Sequence, residues 1–376
     1  MQARFIQIHT LISYPGVLLN RDDAGMAKRL PYGGVSRIRV SSQSLKRHWR
    51  KAEDNWALDA IGAPMAVRSR MTIEREIMPK IDAAPDVKLA IQIALAKFLF
   101  GEKNVDPKKP DSTEKRQTLL LGQPEIDFLT SLAIEAAAGD AQAATEFLDT
   151  ALGKGDGKKN LAALKDSAKL SFGLESALFG RMVTSDPAAN VDAAIHVAHA
   201  FTVQAEESES DYFTVVDDLS GDDAGTAGIF DTELTSGIFY SYVVVDVPAL
   251  IGNLGGDDEL AGKIIEHLVH LIATITPGAK KGSTAPYGYA ELMLVEAGTA
   301  QPRSLAGAFR EPVGKAGGVA AAVTALAKQL VAFDTAYESG ERRAALSLCD
   351  AEIPGVAAPI SLAALATFAA AAVRAG

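Results

Sequence analysis

The run Arg37-Ile38-Arg39-Val40-Ser41-Ser42-Gln43-Ser44-Leu45-Lys46-Arg47-His48-Trp49-Arg50-Lys51 changes period in its middle. Over 37–40 basic and β-branched residues alternate, as in a short strand. Over 42–56 the apolar residues Leu45, Trp49, Ala52 and Trp56 recur at helical spacing and predict one buried stripe. Opposite it stand Lys46, Arg47, Arg50 and Lys51. Lys46 and Arg50 are i,i+4 neighbours, as are Arg47 and Lys51, and like charges so placed cost a helix roughly 0.2–0.5 kcal/mol per pair. No carboxylate comes before Glu53 to relieve them. The first turn offers Ser41, Ser42, Gln43 and Ser44 and no acid, although free N–H groups and the positive dipole end favour one there. Such a start leaves a seat for an external anion, and with the cations beyond it suits a sugar-phosphate backbone. An ordinary N-cap under a solvated basic face is the other reading of the same residues.

Outward from this run, 5–12 alternates as a strand, and the loop after it is punctuated by Pro15, Gly16, Pro31, Gly33 and Gly34. Lys28 and Arg29 in that loop extend the basic surface. Residues 58–175 read as mostly helical, with polar breaks at 102–118 and 153–160. Strand character returns at 180–184, 193–203, 238–247 and 288–295, with a helix at 257–275 and helices from Gly318 onward. Between them, 206–233 is acidic, glycine-containing and hairpin-like. Without the helical insertion and the acidic arm, the order is strand–helix–strand–strand–helix–strand. That is the α+β, ferredoxin-like (RRM-like) arrangement of RNA-recognition modules.

The net charge of −10 is unusual for a phosphate binder, but its distribution is uneven. Residues 1–51 hold ten Lys and Arg against two acids, and no Lys or Arg occurs from 182 to 262. A basic groove with an acidic partner-facing surface accounts for this; so does acidity that serves solubility alone. The single cysteine, Cys349, excludes an internal disulfide and favours a reducing cytoplasm. The start of the chain does not read as a signal peptide, and the apolar run 361–373 is short of the roughly 20 residues that span a bilayer. No membrane association is expected.

Other candidates are weaker. The loop Gly278-Ala279-Lys280-Lys281-Gly282-Ser283-Thr284 lacks Walker A order, leaving an accessory phosphate contact or a plain turn. His196/His199 and His267/His270 are read as structural histidines, so no metal site and no cofactor are expected. Asn20-Arg21-Asp22-Asp23 reads as a hydrogen-bonded turn; adjacent carboxylates positioning a metal or a 2′-hydroxyl for RNA cleavage are the alternative. At the roots of the arm lie Met182, Phe201, Tyr212, Phe213 and Phe230, suited either to wedging a base stack or to packing on the core.

These pieces together resemble the CasC family, the backbone subunit of the type I-E CRISPR Cascade complex. The runs that carry the resemblance are Ile8-His9-Thr10-Leu11-Ile12-Ser13, Leu19-Asn20-Arg21-Asp22-Asp23, Gly33-Gly34 and 37–50, then Gly180-Arg181-Met182, Tyr212-Phe213-Thr214-Val215-Val216-Asp217-Asp218-Leu219, Ser236-Gly237-Ile238-Phe239-Tyr240 and Pro277-Gly278-Ala279-Lys280. They lie in order over 1–295; the helical insertion and the C-terminal region resemble the family less.

The resemblance implies a hand-shaped molecule. Its palm comprises 1–57, 176–203 and 236–300, its fingers 58–175, its thumb hairpin 204–235, and C-terminal helices fill 301–376. It also implies copies polymerising along crRNA beside other Cascade subunits, each thumb kinking the guide so that short segments pair with target DNA. By position, Lys28, Ser41, Gln43, Lys46 and Arg50 contact the guide backbone and Met182 lies near the kinked base, with Arg47 and Lys280 as further RNA-binding candidates. A basic palm and an acidic arm attract head to tail, the geometry of an open filament. This branch does not cut RNA, so no catalytic residue is expected. The competing expectations are an RNA-cleaving subunit of the type III kind using Asp22 or Asp23, and a stand-alone RNA-binding protein.

Overall fold

The computed structural model describes residues 2–153, 170–183, 187–215, 228–314 and 317–374. It is a mixed α+β structure that divides into two compact units. One comprises Met1–Ala60, His196–Val247 and Glu259–Gly376, the other Ile61–Ile195 and Pro248–Asp258. Thr184, the polar break at 154–160, and 216–227 with Gly221, Gly225 and Val216–Leu219 lie outside the described residues.

The chain begins in the first unit with β1 (Phe5–Val17), β2 (Arg29–Tyr32), β3 (Val35–Val40) and α1 (Ser42–Arg50). The second unit contributes β4 (Ala66–Ser69), α2 (Pro85–Phe100), β5 (Leu119–Gly122), α3 (Gln123–Ala136), α4 (Ala141–Leu152) and α5 (Leu174–Phe179). The chain then runs through β6 (Ile195–Val197), β7 (Ala200–Thr202), β8 (Ser208–Val215), β9 (Gly228–Asp246) and α6 (Asp258–Thr274). It closes with β10 (Leu292–Gly298), α7 (Gly318–Tyr337), β11 (Arg342–Ser347) and α8 (Leu362–Arg374).

The sheet of the first unit runs β11-β10-β1-β9-β7-β3-β2 and is antiparallel at each paired edge of that path. β1 sits between β10 and β9 and is buried along Phe5–Ile12, because both faces are covered. On one face Leu45 and Trp49 of α1 and Ile272 of α6 close with Thr10, Ile12, Phe239 and Ser241 around a small apolar cavity. The opposite face packs Leu11, Tyr240, Leu292 and Leu294 against Ala322, Val323, Leu326 and Leu330 of α7. By length and composition α7 could cross a membrane, yet its apolar stripe is spent on this core.

Beneath that face lies a buried charge centre. Glu296 accepts hydrogen bonds from Arg303 (2.6 and 2.7 Å) and Arg343 (2.7 Å), and His9 Nε2 lies 3.2 Å from it. Arg343 also makes two 2.6 Å contacts with Asp334. Burial alone raises a carboxyl's pKa, but the bonds and charges of His9 and Arg303 outweigh it and hold Glu296 well below the usual carboxylate range.

β9 has 19 residues and two jobs. Its outer part pairs with β8 from Ser208↔Thr235 to Val215↔Gly228, and its inner part with β1 from Gly237 to Asp246. One continuous strand therefore carries the hairpin directly out of the sheet.

Four local expectations are corrected. The strand expected at 180–184 is, over its described residues, only an isolated bridge of Arg181 with Val191. The helix expected over 42–56 ends at Arg50, where Lys51 leaves helical geometry (φ −114°, ψ 20°). Trp56 instead stacks on His270 at 3.6 Å, so its stripe with Leu45 was accidental. The C-terminal region is not helical throughout, since β11 pairs with β10 from Leu292↔Ser347 to Ala297↔Arg342. And 58–175 contains a two-stranded sheet, β4 with β5, beside its helices.

The second unit packs around Ile73, Ile91, Leu95, Ile126, Leu129 and Leu148. Within it Arg181 donates to Glu125 (2.5 Å) and to the Ala189 carbonyl (3.0 Å), both buried. Gly180 has φ +72°, and a Cβ there would lie 2.8 Å from Ala193 N.

Candidate nucleic-acid interface

The start of α1 is anchored before it is exposed. Ser41 Oγ caps the helix by accepting Ser44 N–H (3.3 Å), and Ser41 N–H donates to Asn20 Oδ1 (2.9 Å). Asn20 thus ties the helix entrance to the loop after β1. Asn20 O also accepts Lys28 N–H (2.9 Å), and Lys28 O accepts Arg39 N–H (2.7 Å). Asp22 holds the same loop closed: its Oδ1 accepts the N–H groups of Ala24 (2.9 Å) and Met26 (3.0 Å). Asn20 and Asp22 therefore build a turn that presents Lys28 beside the helix entrance.

Along α1 the burial pattern separates the two faces. Ser42, Leu45 and Trp49 are buried, Gln43 and Arg47 are exposed, and Lys46 and Arg50 are half-buried. Lys46 and Arg50 have interactions within the chain. There is no acid in the first turn, and Arg47, His48 and Arg50 occupy the last.

Two histidines mark the edges of the cationic surface. Arg39 Nη1 approaches His199 Nδ1 at 3.1 Å. Burial, then the charges of Arg39 and Lys28, hold the His199 imidazole below its ordinary value. At the other end His48 Nδ1 meets Ser44 O at 2.8 Å. Its pKa is lowered by burial, and the charges of Lys281 and Arg47 act in the same direction. The loop 277–285 reaches this edge because Ala279 N–H donates to Leu18 O (3.0 Å).

Lys28, Ser41, Gln43, Lys46, Arg47, Arg50 and Lys280 are therefore all carried by the first unit, on α1 and the two loops tied to its surroundings. Lys280 has work of its own: its Nζ donates to Thr232 Oγ1 (2.8 Å) and lies 4.8 Å from the Phe213 ring centroid, both on the hairpin. Met182 belongs to the other unit, where its side chain is 68% exposed directly after the buried Arg181.

Other members of the basic run are structural. Arg37 is fully buried and donates to the carbonyls of Tyr32 (3.2 Å), Thr202 (3.0 Å) and Phe309 (2.9 Å). Of the arm aromatics, Phe201 lies in the sheet core, packed edge-on to Tyr32 and Tyr240. Tyr212, Phe213 and Phe230 are exposed on the hairpin, where Phe213 and Phe230 stack at 5.5 Å.

Arg39 and His199 escaped the sequence reading as site residues, and the signal that could have found them is strand pairing, since β3 meets β7 at Arg39↔Phe201. His267 is structural, with Nδ1 3.0 Å from Trp56 O. Among the described residues no group of three or more His, Cys, Asp or Glu could hold a metal ion. What the surface offers is hydroxyls, backbone donors and a row of cations, the donor set that phosphates and riboses take.

No curated protein matches the chain. A solved chain titled "CRISPR RNA-guided surveillance complex, pre-nicking" is 26% identical, covers 98% of this chain and 100% of its own length, and has a TM-score of 0.77. A second, titled "CRISPR RNA-guided surveillance complex", is 21% identical with a TM-score of 0.61 over 98% of this chain and 99% of its own, and shows the shared fold. The profile of the CT1975-like protein family, Cas_CT1975, matches residues 6–371, nearly the whole of β1 through α8, and the chain belongs to that family.

Proposed function

We propose that this protein is a non-catalytic, guide-RNA-binding backbone subunit of a type I-E CRISPR surveillance complex, working in the cytoplasm. Copies polymerise along crRNA and present it for pairing with target DNA, in company with other subunits of the complex. The observation that carries the reading is the full-length likeness, at a TM-score of 0.77, to a chain of an RNA-guided surveillance complex. The order β10-β1-β9-β7, with α1 and α6 as the crossovers, supports a ferredoxin-like palm. The β8–β9 hairpin is the natural thumb, and 58–175 the fingers. Lys28, Ser41, Gln43, Lys46, Arg47 and Arg50 would line the guide backbone, and Met182 the kinked base. The use of Asp22 Oδ1 by two backbone N–H groups supports a positioning turn rather than a cleaving carboxylate.

The test is co-expression with a matching CRISPR array, followed by purification, nuclease digestion and sequencing of the retained RNA. Repeat-spacer guide RNA in an oligomeric particle with periodic protection is expected. Lys46→Ala/Arg50→Ala should lose that RNA. A monomeric, RNA-free protein, even with neighbouring subunits co-expressed, would refute the reading. Divalent-dependent cutting at regular steps that disappears in Asp22→Ala or Asp23→Ala would replace it with the nuclease.

A further inference from the structure

Residues 276–290 contain Lys280 and Lys281 and no acid, and they end in two tyrosines that the fold holds outward. Tyr287 is 76% and Tyr289 69% exposed, while Pro286 and Ala290 on either side are buried. The flanking residues are held in the fold while the two rings face water. The backbone between them is pinned. Gly288 N–H donates to Thr276 Oγ1 and Gly288 O accepts from the same hydroxyl, both at 3.1 Å, and Tyr14 donates to Thr276 at 3.3 Å. A Cβ at Gly288 would lie 2.7 Å from the Tyr14 ring, so the loop sits directly on the sheet. Ala290 N–H donates to Ala273 O (2.8 Å) and Glu291 N–H to Leu11 O (2.9 Å), fixing the far side. Among the described residues neither tyrosine ring has a stacking or side-chain hydrogen-bond partner.

Two large rings on a rigid backbone, left to water, are an unusual use of apolar surface. Aromatic rings left open to water in this way can stack a flat base, whatever its identity. The adjacent Lys280 and Lys281 attract the phosphates on either side of that base. A cationic loop with aromatic rings is the pairing that single-stranded nucleic acids bind.

We propose that Tyr287 and Tyr289 form a stacking platform that holds an unpaired base of single-stranded RNA, with Lys280 and Lys281 on its flanking phosphates. This rests on the guide-RNA reading above and adds to it a base contact beyond α1.

The test uses the purified protein, a fluorescein-labelled oligouridine, and an abasic ribose-phosphate oligomer of the same length. Wild type should bind the base-bearing oligomer more tightly than the abasic one. Tyr287→Leu/Tyr289→Leu should weaken base-bearing RNA by roughly ten- to a hundredfold. Abasic binding and the salt slope should be unchanged, and Tyr287→Phe/Tyr289→Phe should restore affinity. Equal affinity of the leucine variant and wild type, with binding still dependent on Lys46 and Arg50, would sink the platform and leave the function standing. Equal loss on abasic RNA would make the tyrosines backbone contacts, and altered self-association without RNA would assign them to a second copy of the chain; either overturns the proposal. A wild type that binds neither oligomer overturns both readings.

Discussion

The Glu233 carboxylate on β9 closes onto the Arg29 guanidinium of β2 while also accepting Ala27 N–H at 2.6 Å. Arg29 donates in addition to Glu206, just ahead of β8, at 2.5 Å. One cation therefore clasps both roots of the hairpin. Glu233 is only 4% exposed, so removing its partner strands a nearly buried charge. Arg29→Ala should cost about 2 kcal/mol, below the full buried-pair penalty because the guanidinium itself is a third exposed. Urea unfolding reads the loss, and Arg29→Lys should recover part of it. Unchanged stability would show that the clasp is ornamental.

Lys280 latches the hairpin from the other side through Thr232 and Phe213. Lys280→Met keeps the aliphatic stem and removes the charge. Amide exchange across 208–215 should then speed up in RNA-free protein, since a cation over an aromatic face contributes about 0.5–1 kcal/mol. If exchange is unmoved and the RNA salt slope falls by ~0.7 instead, Lys280 is a phosphate contact alone.

His48 and His199 both titrate below the ordinary 6.5, mainly through burial and then through Lys281 and Arg47, and Arg39 and Lys28, respectively. A phosphate chain laid over these groups favours the imidazolium, so binding raises both pKa values and takes up protons. RNA affinity should therefore rise as pH falls through and below 6.5. Titration calorimetry in buffers of different ionisation enthalpy counts the protons, and His48→Ala/His199→Ala should abolish the uptake. Wild-type affinity that is flat with pH would place both rings away from the RNA.

Glu296 contributes to stability through its depressed carboxyl. That contribution is complete above the ordinary value of 4.5 and is lost progressively as pH falls below it. Glu296→Gln leaves Arg303 and Arg343 without their shared anion in the core and should destabilise by about 3 kcal/mol. Thermal unfolding at pH 7 and at pH 3 checks both statements. The variant's deficit should shrink at the lower pH, where the unfolded wild-type chain takes up a proton that the folded carboxylate does not.

The βα unit at 35–50 was legible because alternation and helical period are local properties. So were the chain positions of β1, of the inner part of β9 and of α6, through punctuation and periodicity. The end of α1 was not legible. Trp56 continues the stripe on paper, but His270 draws it away, and no local pattern reports a contact across more than two hundred residues. β11 was lost for a similar reason: Arg342-Arg343-Ala344-Ala345-Leu346-Ser347 has helix-forming composition, and its pairing with β10 overrides that preference. At the site, Ser41, Gln43 and Arg47 were readable from capping logic and charge. Arg37 looked identical to Arg39 in sequence. Only the sheet register shows that Arg37 serves three carbonyls, while Arg39 meets His199 at the rim.

The charge centre on Glu296 also sets a schedule for synthesis. His9 precedes Glu296 by 287 residues, and Arg343 with its β11 follows Glu296 by another 47. Until then the nascent sheet has an open edge along β10 and an anion short of one guanidinium. A chain that has not reached residue 343 has Glu296 paired with Arg303 and His9 but lacks the strand that covers β10. Covering the β10 edge and completing the charge centre are therefore one late event in synthesis.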